Sequence, residues 1–175
     1  MRTPTVHQPP AKPAEEHHHR VGAALRHLLH RRRPVALPPW EEQVRALAEI
    51  LQAAAAAQPA AEQVIAACGA SGEVSGEVGQ IGGRQLNIYQ RLGTRLAELR
   101  VGDELAPLRE HAMRLVAYHR WMLHEAMKLA FTPHHDVRAE AMRLRLTGLG
   151  APANDLRALR GEVRSLAERG RPDGR

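Results

Sequence analysis

The chain has 175 residues, of which 43% are hydrophobic but only 3% aromatic, and its formal net charge is +6. This length accommodates one ordinary domain with tails, and a core of Leu, Ala, Val and Met favours helices over sheets. No apolar run reaches the roughly 20 residues that a membrane-spanning helix needs, and the single cysteine, Cys68, excludes an intramolecular disulfide. We therefore expect an all-α protein.

The first 39 residues differ from the rest of the chain in composition and charge. They carry seven basic and two acidic side chains, whereas residues 40–175 carry 18 basic and 17 acidic ones. Residues 1–19 are rich in Pro and His and have too few apolar residues to offset the entropy of ordering, so we predict a disordered tail over residues 1–39. Within it, residues 20–33 have the apolar spacing of a short amphipathic helix. Its arginines are candidates for contact with phosphates or an anionic surface: Arg20, Arg26, Arg31, Arg32 and Arg33.

Residues 40–170 have the apolar periodicity of a helical bundle. The first helix is predicted from Trp40 to about Ala57, where Pro59 should kink or end it, with a shorter piece reaching Cys68. Further helices are predicted over residues 84–99, 103–131, 133–146 and 152–170. Four to five helices with short connections indicate an antiparallel bundle, followed by a disordered C-terminus at residues 171–175.

The helix predicted over residues 133–146 has an apolar stripe of its own. Thr132 is its expected N-cap and Pro133 its expected first residue. Val137, Ala141 and Leu144 follow at helical spacing. We expect this stripe to pack onto the core.

Glycines recur at heptad spacing through the middle of the chain, at positions 69, 72, 76, 79 and 83. Each glycine inside a helix costs roughly 1 kcal/mol against alanine, so this segment is either a mobile loop or a helix against which a neighbour packs closely. Apolar residues in register with the next helix favour the packed helix. Gly76→Leu should then be severely destabilising. The predicted helix-packing residues are Gly72, Gly76, Gly79 and Gly83.

Histidines and a glutamate in the helix over residues 103–131 are weak candidates for a metal site. Helical metal sites use Glu-x-x-His or His-Glu-x-x-His spacing, but Lys128 stands where the second histidine of the latter would be. His119 shares a face with apolar residues and is expected to be a buried, hydrogen-bonded histidine. The remaining candidates, weaker still, are His124 and Glu125.

Motifs of known catalytic or phosphate-binding loops are absent from the sequence. There is no Gly-x-Ser-x-Gly, and the glycine-rich stretch over residues 79–83 matches neither phosphate-loop pattern. The sequence therefore favours a non-enzymatic protein without deciding the question, and it indicates no cofactor.

Three functions follow from these patterns. The first is a bundle that acts through protein–protein contacts, as a homo-oligomer, scaffold or regulatory partner. The aromatic residues Trp40, Tyr89, Tyr118 and Trp121 are expected mainly to anchor the core, and Trp121, beside Arg120, is also a candidate interface residue. The alternative is a nucleic-acid-associated protein that binds phosphates through the N-terminal arginines. The second alternative is a bundle that binds a metal or small ligand. Without a secretory signal the protein is expected in the cytoplasm, and its arginine bias is typical of GC-rich bacterial genomes.

Overall fold

The computed structural model describes residues 36–132 and 136–170, and within them the chain forms five helices and no strand. In chain order these are α1 (Trp40–Gly69), α2 (Gly76–Glu98), α3 (Ala106–Phe131), α4 (Val137–Arg143) and α5 (Ala151–Arg169). The prediction of an all-α protein is confirmed. The short helix predicted over residues 20–33 and the C-terminal residues 171–175 lie outside the described residues.

The four long helices form an antiparallel bundle in the order α1, α2, α3, α5 around its axis. Contacts between helices give the directions: Tyr89 of α2 lies against Ala54 of α1, and Arg95 further along α2 lies against the earlier residue Glu49. Helix α5 runs antiparallel to α1 in the same way. Helix α1 also packs across the centre against α3, so these two helices contribute most of the buried core.

Helix α1 continues through Pro59 as one helix of 30 residues, so the break predicted there is wrong. Proline removes one backbone hydrogen bond, but its own ring lies on the exposed side of the helix. Buried side chains on both sides of it, such as Leu51 before and Val64 after, belong to one core. Tertiary packing of this continuous apolar face therefore outweighs the local cost of proline.

A short connection over residues 70–75 separates α1 from α2, so the helix favoured for the glycine stripe is wrong for these residues and right for residues 76–83. Gly72 has a φ of +97°, a left-handed conformation that glycine adopts without the strain of a Cβ. Ser75 then caps α2, because its Oγ accepts a hydrogen bond from the backbone N–H of Val78 at 3.4 Å. Glycine and a capping serine thus end one helix and begin the next.

Helix α4 is shorter than predicted and faces the opposite way. Its N-cap is Asp136, whose carboxylate accepts from the N–H of Ala139 at 2.6 Å, and Thr132 instead ends α3. The stripe expected in the core is turned outward: Val137 is 88% exposed and Leu144 49%. The buried residue of this helix is charged Arg143.

Arg143 explains why α4 lies this way round. Its guanidinium donates to both carboxylate oxygens of Glu140, at 2.8 and 2.6 Å, and also to the backbone oxygens of Cys68 and Ala70, at 3.1 and 2.6 Å. Carbonyls at the C-terminus of a helix have no partner within that helix and carry partial negative charge. The cation therefore fixes α4 to the end of α1 through hydrogen bonds rather than through its apolar stripe.

Candidate protein-binding groove

Helices α2 and α3 leave a groove along their outer side, here called the α2–α3 groove. It has two adjoining parts with volumes of about 430 and 280 Å³, and Gln90 and Arg120 line both. From α2 it is lined by Leu86, Asn87, Gln90, Gly93, Thr94 and Ala97, and from α3 by Met113, Ala117, Arg120, Trp121 and His124. The lining is therefore a mixture of small, apolar, amide and cationic side chains.

The sequence forms a groove here because the facing positions of α2 and α3 are occupied by small residues. Gly93 and Ala97 lie one turn apart on α2, and Ala117 lies opposite on α3. A Cβ on Gly93 would lie 3.9 Å from Cγ1 of Val116, which is ordinary contact. The space above the small residues is therefore open outward, while the buried Val116 closes its floor.

Trp121 stands at one side of this groove and is 54% exposed. Its ring centroid lies 5.8 Å from that of Tyr118, one turn earlier on α3, at an interplanar angle of 48°. The neighbouring Arg120 reaches across the groove and donates to the side-chain oxygen of Gln90. The aromatic contact with Tyr118 therefore supports this large side chain beside the opening.

Among the described residues, the groove is lined by the cation Arg120 and by no carboxylate. Glu125 follows on α3, where its carboxylate lies 3.2 Å from Nδ1 of His124 and 3.9 Å from Nζ of Lys128. All three of these side chains are at least one-third exposed, so their ion pairs contribute little to stability.

Behind the groove, His119 belongs to a buried layer of polar groups. Its Nε2 lies 2.9 Å from Nε2 of Gln58, and its Nδ1 lies 2.7 Å from the backbone oxygen of Leu115. An amide nitrogen can only donate, so Nε2 of the imidazole accepts and Nδ1 carries the proton. Burial lowers the pKa of His119, so the ring is neutral at pH 7.

Gln58 connects this histidine to α5. Its amide nitrogen donates to the backbone oxygen of Ala153 at 3.0 Å, and its oxygen accepts from Arg157 at 3.2 Å. Tyr89 of α2 completes the layer: its ring centroid lies 5.4 Å from that of His119, and its hydroxyl donates to the backbone oxygen of Ala54. Burial raises the pKa of Tyr89 far above its ordinary value, which keeps the phenol protonated. Each of the four long helices thus contributes to one polar layer.

The weak metal candidates are not brought together. Both ring nitrogens of His119 have partners inside the core, whereas His124 and Glu125 lie on the exposed side of α3. The described residues contain no cluster of three or more His, Cys, Asp or Glu side chains able to hold a metal ion.

The four glycines predicted to pack between helices, Gly72, Gly76, Gly79 and Gly83, occupy three different environments. Gly72 lies in the connection between helices, and an added Cβ at Gly76 or Gly83 meets nothing within 4 Å, so the close packing expected at these positions is not found. A Cβ at Gly79 would lie 3.3 Å from the ring of Phe131. The tighter approach on α2 is at Gly82, where a Cβ would lie only 2.3 Å from Sδ of Met127.

Two features of the site had no clear signal in the sequence. Gln58 lies in an alanine-rich run just before Pro59, a setting typical of an exposed position, and its partners lie 61 and 95 residues away. The burial of Arg143 was not predicted, because the apolar stripe of Val137, Ala141 and Leu144 indicated that the opposite side of this helix would be buried. The arginines at positions 20, 26, 31, 32 and 33 lie outside the described residues.

None of the helices described combines the length and the hydrophobicity required to cross a lipid bilayer. Comparisons with protein-family models, with curated proteins and with solved structures find no match to this chain.

Proposed function

We propose that this helical bundle acts without catalysis, by binding another protein in the α2–α3 groove. The observation that carries the proposal is the exposure of Trp121, a large apolar side chain held beside a groove rather than inside the core. Trp and Arg are the residues that most often dominate the binding energy of protein interfaces. Both are present here as neighbours, with Tyr118 supporting the indole.

The interior of the bundle supports the same proposal. The most deeply buried polar groups, His119 and Gln58, have hydrogen-bond partners and lie away from the surface. Residues that satisfy one another in this way specify a packing arrangement rather than a reaction. The outer side of α2 and α3, by contrast, keeps Trp121 exposed and available to a partner.

Site-specific photo-cross-linking in the native cells tests this function. A photoreactive amino acid replaces Asn87, which is exposed and lines the groove, and in a control protein it replaces Gln63, which is exposed on α1. We expect discrete protein adducts from position 87 and not from position 63. In a Trp121→Ala background the adducts from position 87 should decrease several-fold, because the apolar anchor is lost.

Light scattering on the purified full chain separates the kinds of partner. An oligomer that Trp121→Ala dissociates would identify the partner as a second copy, and a monomer with cross-linked adducts would identify a different protein. Equal adducts from the groove and control positions would overturn the proposal. Adducts from position 87 that contain nucleic acid instead of protein would also overturn the proposal and would favour nucleic-acid binding.

A further inference from the structure

The α2–α3 groove differs in charge from the other large grooves of the described chain. The groove between α1 and α5 includes Glu41 and Glu49 beside three arginines, and the one beside α4 includes Glu73, Asp136 and Glu140 beside one arginine. The α2–α3 groove has no carboxylate in its lining. In the described part of the chain, a negatively charged ligand therefore meets an arginine but no repelling carboxylate in the lining of this groove, whereas both other grooves contain carboxylates.

The helices that form the groove also carry an excess of positive charge outside its lining. Together α2 and α3 carry seven Arg and Lys side chains against four Glu, whereas α1 carries four Glu against one Arg. Arg84 and Arg91 lie within one turn of Asn87, and Arg114 lies within one turn of Ala117. All three arginines are exposed, so their guanidinium groups can reach a ligand in the groove from either side.

The shape of the groove fits a helix. From Leu86 to Ala97 it follows α2 for about 17 Å, which is roughly three helical turns. Glycine and alanine at its centre allow the backbone of a third helix to approach, and helix axes pack about 8–10 Å apart. Leu86, Met113 and Trp121 provide apolar contacts along its length.

On these grounds we propose that the α2–α3 groove binds an acidic amphipathic helix of a partner protein. The apolar side of that helix packs against Trp121, Met113 and Leu86, and its carboxylates pair with the arginines on both rims. This inference rests on the proposed function and names the chemistry of the partner.

Two other occupants fit the same surface less well. A second copy docked through its own α2–α3 groove would place arginine rims against arginine rims, and like charges across an interface are strongly unfavourable. Single-stranded nucleic acid is bound by aromatic side chains that stack on successive bases. Among the lining residues described, Trp121 has the exposed aromatic ring, and the ring of Tyr89 is buried.

A displayed library of helical peptides about four turns long tests the proposal on the full chain. The library keeps one apolar side and varies its flanking positions among Asp, Glu, Gln, Lys and Arg. We expect selection to enrich peptides with Asp and Glu at the flanks. Their binding should weaken about 10-fold or more with Trp121→Ala, and it should weaken as salt is raised.

Charge reversal at the rim is the second arm of the experiment. Arg84→Glu with Arg91→Glu should shift selection toward Lys and Arg at the flanks, whereas the control Arg138→Glu, on exposed α4, should not. Circular dichroism of each variant checks that the bundle remains folded. All substituted side chains are exposed, so we expect unchanged helicity.

Three results would overturn the inference. One is selection without preference for acidic flanks, and another is displacement of the peptides from the groove by an oligothymidylate that binds there more tightly. The third is a set of acidic peptides whose affinity is unaffected by Trp121→Ala. This last result would mean that the acidic helix binds elsewhere on the bundle, and protein binding would remain the proposed function. Absence of protein adducts from position 87 would instead overturn the proposed function itself.

Discussion

At Gly69 the end of α1 approaches another backbone segment more closely than a side chain allows. A Cβ there would lie 2.6 Å from the backbone oxygen of Leu146 and 3.0 Å from its Cβ, and neither atom belongs to a flexible side-chain end. Of the glycines in the heptad stripe, Gly69 therefore has the strictest requirement for a missing side chain. The periodic spacing of the glycines thus includes one position, Gly69, that requires a missing side chain. Its neighbour is the loop at Leu146 and not a second helix as predicted.

Alanine substitutions at two glycines should have opposite effects. Gly69→Ala should destabilise the fold by about 1–3 kcal/mol, because backbone must move to admit the methyl group. Gly83→Ala should raise the free energy of unfolding by roughly 0.5–1 kcal/mol, because this position lies inside α2 with open space around it. Urea unfolding of both variants measures these changes. A stabilising Gly69→Ala, or a Gly83→Ala as damaging as Gly69→Ala, would contradict the observed packing.

His119 should make the fold sensitive to mild acid. Burial lowers its pKa, with Arg157 of α5 acting in the same direction and the bond to Leu115 and the charge of Glu62 on α1 opposing. The unfolded chain then binds a proton that the folded chain does not, so stability is full above the unfolded pKa and falls as the pH drops below about 6.5. The loss has a slope of at most ~1.4 kcal/mol per pH unit.

Unfolding curves between about pH 7.5 and pH 5.5 measure this effect, since carboxylates change little in that range. His119→Gln should be less stable at neutral pH but show a shallower decrease with acid. His124→Gln is the matched control, because its ring is exposed, and it should keep the wild-type slope. Identical slopes for all three proteins would show that His119 does not titrate differently in the folded state.

Among the helices, the apolar pattern predicted the buried side of the four long helices correctly but not that of the short helix α4. Helices α1, α2, α3 and α5 each bury several residues of their predicted stripes, so packing and pattern agree. The seven residues of α4 offer too little apolar area to decide its orientation. The bonds of Arg143 to Glu140 and to the end of α1 determine it instead, and such long-range hydrogen bonds have no local signature in the sequence.

Arg143→Met should release α4 from the end of α1. It removes the hydrogen bonds to two helix-terminal carbonyls and separates Glu140 from its cation, which we expect to cost about 1–3 kcal/mol. Cys68 is a built-in reporter, since it is fully buried next to this arginine. Its modification by a thiol reagent should become about 10-fold faster or more, because an opening that costs 1.4 kcal/mol less is populated tenfold more.

Loss of the Arg143 charge would by itself slow the modification of Cys68, whereas greater exposure of the thiol would speed it. Burial raises the pKa of Cys68 and Arg143 lowers it, so loss of the arginine alone would reduce the thiolate fraction and slow the reaction. Faster modification must therefore come from exposure. Arg145→Met is the control, because Arg145 is exposed and follows α4. Equal rates for wild type and Arg143→Met would exclude the proposed role.

For the whole molecule, the sequence indicated the bundle but not how the four helices are fixed in register. The expectation that Trp121 mainly anchors the core is wrong, because its side chain is 54% exposed. Trp121 beside Arg120 was recognisable as a candidate interface pair from residue type alone. The residues of α2 that face Trp121 across the groove depend on how α2 pairs with α3. No local pattern in the sequence specifies this pairing. The same holds for the polar layer, in which Gln58 joins residues from three helices.

A double-mutant cycle tests whether this polar layer couples the helices. Gln58→Leu leaves the buried Nε2 of His119 without its donor, and His119→Leu removes an acceptor from the amide of Gln58, so each change alone should destabilise by about 1–3 kcal/mol. Replacing both partners removes the unsatisfied atoms as well as the bond. The double variant should therefore lose less than the two single losses combined, with a coupling of about 0.5–3 kcal/mol.

The matched control pairs Gln58→Leu with Gln43→Leu. Gln43 is also a buried glutamine of α1, but it bonds to the backbone of Pro38 and Gly102 and lies about 22 Å along the helix from Gln58. Changes at such separated sites should add to within about 0.3–0.5 kcal/mol. Equilibrium unfolding in urea gives all the required free energies. If Gln58 and His119 were as additive as the control pair, the layer would be a set of independent contacts, and the register of the bundle would depend on apolar packing alone.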